Sequence, residues 1–289
     1  MYQQHHVSPE VENNHHADYN TGSHDIKSRM KATWEDGDYA TFATYMQDGA
    51  VEIINELQLP LNIELLDVGC GAGQTAIPAG KCGARVTGVD IAENLVAYAQ
   101  QRAHKAGIAA KFEVGDAENL PCEASSFDYI ISMFGAMFAP HPNKVVDEFA
   151  RVTRPGGTLY MANWTASSMP AQMFKCVAQH MPPAPGIVAP VLWGDEETVL
   201  KRLDPYFTNI RLSRKMYPSW HYPFAAEELV TFFRSYFGPV KKAFDKAGAE
   251  GALELFEQLR DIYSRNSICK NDVLTITNGQ YLEVLATRR

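Results

Sequence analysis

The residues best able to do chemistry cluster in one short run, LLDVGCGAGQTA, at positions 65–76. An apolar stretch ends in a carboxylate, Asp67, and glycines follow at 69, 71 and 73. Glycines spaced this way let the chain turn sharply and let a ligand approach the backbone. A loop of this kind, between a buried strand and a helix, cradles a phosphate or a nucleoside. Two more acids stand where later strands should end: Asp90, followed by Ile91, and Asp116, followed by Ala117. A carboxylate in the first place can accept both hydroxyls of a ribose, and one in the second can accept the exocyclic amine of adenine. The loop itself reads two ways, because Gly71, Gly73 and Ala76 also satisfy the G-x-G-x-x-G/A pattern of dinucleotide-binding folds.

These acids need a scaffold that brings strand ends together. Strand-like runs are predicted at 64–68, 85–89, 110–114, 129–132 and 158–162, with helical stretches near 74–82, 92–106 and 142–153. Strands alternating with helices at this spacing mean βαβ units and a parallel sheet. Pro155-Gly156-Gly157 is read as the turn after the third of these helices. Ahead of the sheet, Asp38 is a plausible N-cap for a helical stretch carrying Tyr39, Phe42, Tyr45 and Met46. After Trp164 the alternation stops. A helix, a proline-rich break at 182–186, another helix, a strand-like run at 209–217, aromatic helices to about 265 and a last strand at 281–286 follow. The expected organisation is a polar tail over 1–28 and one domain over 29–289, with a ligand-binding core at about 60–164 and acceptor-cap segments at about 165–205 and 218–270. The tail carries His5, His6, His15 and His16 and is read as solvated rather than metal-binding.

Asp67 separates the two readings of the loop. A carboxylate two places before the first glycine would oppose a pyrophosphate, whereas it favours a cationic sulfonium and ammonium. No tyrosine is followed four residues later by lysine, so the base pair of short-chain dehydrogenases is absent. The successive segments LLDVGCGAG, VTGVDIAENLVAYAQQRA, FEVGDAENLPCEASSFDYIISMFGAMFAP and RVTRPGGTLYMANW resemble the ordered motifs of class I S-adenosylmethionine (SAM) methyltransferases. Bacterial small-molecule enzymes related to quinone C-methyltransferases look most similar. The resemblance is strong over about 60–165, and KATWEDGDYATFA and YLEVLATRR are consistent with its start and end. It implies a Rossmann-like α/β fold with a seven-stranded, mostly parallel sheet, helices on both faces, a last strand running antiparallel and a helical acceptor cap. It also implies cofactor contacts from Asp67, Gly69, Gly71, Asp90, Ile91, Asp116 and Ala117, with Ser132 near the methionine portion, and S-adenosylhomocysteine (SAH) as product.

On the acceptor side, Phe134 and Met137 follow the fourth strand, Trp164 ends the fifth, and Trp220 and Tyr236 stand in the cap. They are the candidate wall for an apolar or aromatic acceptor. His141 is the one titratable base near the expected methyl group and the candidate proton acceptor. Cys70 is read as a small buried filler. The expected activity is methyl transfer to O, N or activated C of a small molecule. Alternatives are a quinone-type C-methyltransferase and a SAM-binding module without turnover.

A net charge of −8 argues against a nucleic-acid partner, because phosphate binding needs a basic surface. No apolar run reaches the length of a membrane span. Five scattered cysteines form neither a disulfide framework nor a metal motif and fit a reducing cytoplasm. A monomer or a homodimer is expected, and no metal.

Overall fold

A computed structural model describes residues 25–271 and 273–289. Residues 1–24, and with them His5, His6, His15 and His16, lie outside the described residues. The rest of the expected tail is not a tail: 25–28 belong to a helix, α1 (25–34), whose Lys27 is tied by ion pairs to Asp116 and Glu118. Then come α2 (Tyr39–Ala43) and α3 (Gln47–Glu56). Asp38 caps α2 as expected, accepting from the Thr41 amide at 3.0 Å.

The sheet begins with β1 (Glu64–Val68), β2 (Arg85–Asp90), β3 (Lys111–Val114), β4 (Phe127–Met133) and β5 (Thr153–Trp164). The intervening helices are α4 (Ala76–Lys81), α5 (Glu93–Lys105) and α6 (Pro142–Val152). Beyond β5 lie α7 (Met169–His180), α8 (Glu196–Leu203), β6 (Phe207–Met216), β7 (His221–Tyr222), α9 (Ala226–Tyr236) and α10 (Gly238–Arg265). The chain closes with β8 (Ser267–Lys270), β9 (Val273–Ile276) and β10 (Gln280–Arg288). The main sheet has seven strands in the order β3-β2-β1-β4-β5-β10-β6. Strands β1 to β5 pair in parallel, and β10 runs antiparallel between β5 and β6.

The central strands read as near-continuous apolar runs because they are covered on both faces. Leu65, Leu66, Ile130 and Leu159 are all fully buried, each contributing about 1.5–3 kcal/mol by leaving water. Helix α6 puts Val145, Val146, Phe149 and Val152 into the same core. The turn expected at Pro155-Gly156-Gly157 is instead a bulge inside β5, where the β4 register slips between Phe127 and Tyr129 and Gly156 adopts φ +80°. The expected cap also divides. Helix α8 packs on α6 and β6 and so covers the sheet, whereas α7, α9 and α10 pack on one another. A second sheet, β7-β9-β8, joins these helices and has no counterpart in the sequence expectations. Helix α10 is broken at Gly248, where φ +67° and ψ −176° interrupt the helical path.

Candidate functional site

From β1 the chain moves outward to β2 and β3; from β4 it moves the other way, to β5. The topological switch therefore falls between β1 and β4, where open sheets of this kind bind ligands. The two loops leaving these strands meet backbone to backbone. A Cβ on Gly69, at φ +72°, would lie 2.6 Å from the Gly135 Cα, so neither position has room for a side chain. Ser132 locks this junction: its hydroxyl donates to the Val68 carbonyl at 2.8 Å and accepts from the Ala136 amide at 3.0 Å.

Three carboxylates surround the glycine loop in different states. Asp90 accepts from the Gly71 amide at 2.8 Å and the Ala92 amide at 2.9 Å, bracing the loop against the end of β2. Burial raises its pKa, opposed by backbone N–H groups from Ala92, Gly71 and Ile91. Asp67 is 1% exposed, and its Oδ2 has no hydrogen-bond partner among the described residues. Burial, reinforced by the charge of Asp90 and only partly offset by the Ala76 amide, pushes its pKa up to about 8. Asp116 at the end of β3 accepts from the Glu118 amide at 2.9 Å and from Lys27 at 2.5 Å.

In front of these groups lies a cavity with about 1390 Å³ of empty space, counting the part open to solvent. Of the sequence-predicted residues, Gly69, Gly71, Asp90, Ile91, Asp116, Ala117, Phe134, Trp164 and Trp220 line it. Asp67 and Ser132 do not; both are buried behind the wall. Phe134 holds φ +56°, a left-handed conformation that strains an aromatic residue. Its ring lies flat on Trp164, with centroids 3.7 Å apart and planes 4° from parallel.

Three predicted acceptor-side residues are placed elsewhere. Met137 is a core residue of the 3-10 turn Ala136–Phe138, away from the cavity wall. Tyr236 ends α9 and packs on Phe232, centroids 5.0 Å apart, leaving the wall to its neighbour Phe237. His141 is also outside the wall. It precedes α6, and its Nδ1 sits 2.8 Å from Oε2 of Glu118, whose Oε1 accepts from the His141 amide at 2.7 Å. Because the Glu118 side chain is fully buried, His141 and Lys27 serve as its partners. Replacing His141 with Ala is therefore expected to cost stability by roughly 1–3 kcal/mol, read by chemical denaturation, and to leave turnover of the folded protein largely unchanged, read by methyl transfer.

Sequence reasoning missed the contribution of α1 and α2. Met30, Trp34, Tyr39 and Phe42 all line the cavity. The Tyr39 ring passes over the glycine loop, with Cε1 3.5 Å from where a Gly71 Cβ would be. Burial raises its phenol pKa, and Asp90 raises it further, so the hydroxyl keeps its proton. The available signal was the aromatic spacing of Trp34, Tyr39 and Phe42, which reads equally well as core packing. Gln74 and Thr75, beyond the glycines, also line the cavity.

Comparison with known proteins gives consistent likenesses. The family described as "Methyltransferase domain" matches residues 66–161. An uncharacterized protein of Mycobacterium tuberculosis, Rv1403c, is 32% identical over 213 residues, covering 73% of this chain and 77% of its own. The 27-O-demethylrifamycin SV methyltransferase of Amycolatopsis mediterranei is 32% identical over 169 residues, covering 56% of this chain and 62% of its own. Among solved structures, BH2331 of Bacillus halodurans superposes with a TM-score of 0.54 at 18% identity, covering 82% of this chain and 97% of its own, a likeness of fold alone.

Proposed function

The chain belongs to the class I SAM-dependent methyltransferases, and on that premise we propose that it is an enzyme transferring the SAM methyl group to O, N or activated C of a small apolar or aromatic molecule. The observation that carries this reading is the joining of two kinds of wall in one cavity: glycines and strand-end acids at one side, stacked aromatic rings at the other. The acids suit the cofactor. Asp67 is buried and Asp90 half-buried; among the described residues neither is ion-paired, and one oxygen of Asp67 has no hydrogen-bond partner. A sulfonium and an ammonium supply the missing positive charge.

In this reading Gly69 and Gly71 admit the cofactor to the backbone, Asp90 accepts the ribose hydroxyls, and Asp116 accepts the adenine amine. Ile91 and Ala117 pack on the adenine, while Asp67 and Ser132 hold the loop at the methionine end. Bound SAM supplies a methyl group already activated as a leaving-group partner, so the chain's task is alignment and exclusion of water. Phe134, Trp164 and Trp220 would fix the acceptor, and Trp34, Tyr39 and Phe42 would close over it. Among the described residues no helix is long and apolar enough to cross a membrane, and the five free thiols support a cytoplasmic setting.

The test is transfer from methyl-labelled SAM into a metabolite extract, with product masses read out. A product heavier by one methylene unit is expected. Tight SAH binding without transfer to any acceptor would instead identify a binding module.

A further inference from the structure

The part of the cavity facing away from the glycine loop is built without charge. Among the described residues its whole lining contains three charged side chains: Asp90 and Asp116 at strand ends, and Lys27 of α1 beside Asp116. None is free to meet an acceptor's charge. Lys27 is paired with Asp116 at 2.5 Å and Glu118 at 2.7 Å, and Asp90 is held by the Gly71 and Ala92 amides. Two rings of the far wall have their polar atoms engaged elsewhere. The Tyr217 hydroxyl donates to the Met46 carbonyl at 2.6 Å, and the Trp220 indole N–H donates to the Tyr222 hydroxyl at 3.0 Å. Phe134, Trp164 and Trp220 form a nearly parallel set, 4° apart in the first pair and 23° in the second.

We propose that the acceptor is an uncharged, flat, fused-ring molecule, and that the cavity rejects acceptors carrying a carboxylate or phosphate. This rests on the methyl-transfer reading above and narrows it. An anion entering this wall would lose its water without gaining a countercharge. A flat ring system recovers dispersion and offset-stacking energy from the parallel rings that a flexible chain recovers poorly, since the chain also loses rotamer freedom.

The test uses the full chain saturated with SAH, with SAH binding itself measured first by calorimetry. Three probes follow by equilibrium dialysis at neutral pH: 2-naphthol, 2-naphthoate and 1-decanol. The expected order is 2-naphthol tightest, at least about 100-fold over 2-naphthoate and about 10-fold over 1-decanol. A second protein, Phe174→Lys, places a cation on the half-buried cavity face of α7; 2-naphthoate is expected to gain at least about 10-fold there. If SAH binds but 2-naphthoate equals 2-naphthol, or 2-naphthol fails to bind, the charge-exclusion proposal is overturned. If 1-decanol matches 2-naphthol, the fused-ring preference is overturned. A folded chain that does not bind SAH overturns the methyl-transfer reading itself.

Discussion

Replacing Asp90 with Ala is expected to weaken SAM binding by about 10²–10⁴-fold. Two hydrogen bonds from ribose hydroxyls to a carboxylate contribute about 1.5–3 kcal/mol each. Together they give about 3–6 kcal/mol, and the buried setting leaves little water to replace them. Asp90 has a second job that the experiment must separate. Its oxygens already accept from the Gly71 and Ala92 amides, so Ala also releases the glycine loop from the end of β2. Asn at the same position keeps one acceptor oxygen and the side chain's shape. Calorimetric titration of both variants, beside their denaturation curves, gives the answer. Asn should retain most of the stability yet lose at least tenfold in affinity. Unchanged affinity in the Ala variant would remove the end of β2 from the cofactor site.

That expectation could be drawn from the sequence because the cofactor side is local. Each residue there stands within a few positions of a strand end, and buried parallel strands announce themselves as apolar runs closed by an acid or a glycine. The predicted 64–68 strand coincides with β1, and the 85–89 strand falls one residue short of β2, which ends on Asp90 itself. The strand-end acids Asp90 and Asp116 accordingly lie in one cavity although 26 positions separate them in the chain.

The acceptor side is assembled from distant segments, and its rings look like core until the packing is known. Trp34 comes from α1, Phe174 from α7 and Phe237 from the α9–α10 junction, and they meet because Phe138 and Phe237 bridge them. Tyr236 and Phe237 differ by one position, and the end of α9 decides which of them faces the cavity. His141 illustrates a related difficulty. Proximity in sequence to the fourth strand end suggested a base, but Pro142 opens α6, and the buried Glu118 draws the imidazole to itself. The small sheet escaped notice because β8 is short and three of its four residues are exposed, leaving no alternation to detect.

Asp67 should make the free protein and its SAM complex respond to pH in opposite ways. Its folded pKa of about 8 lies well above the roughly 3.9 of an unfolded aspartate. Between those values the folded chain holds a proton that the unfolded chain has lost. Stability of the free protein therefore falls as pH rises through this window, by up to about 1.4 kcal/mol per pH unit. The loss is complete once pH passes the folded value. A cationic cofactor favours the ionised carboxylate, so binding below this pKa expels the proton, and affinity should rise by up to about tenfold per pH unit from 6 to 8. The Asn variant cannot ionise there. Its free form should be more stable than the parent at pH 9, because no buried charge is required, and its affinity should be lower at that pH. The ligand's own ammonium titrates alike with both proteins, so the difference between their affinity profiles belongs to Asp67. Titration calorimetry at four pH values, repeated in buffers of different ionisation enthalpy, measures both the affinities and the protons released. Parallel profiles for parent and Asn variant would mean that Asp67 shapes the turn of the glycine loop without sensing the cofactor's charge.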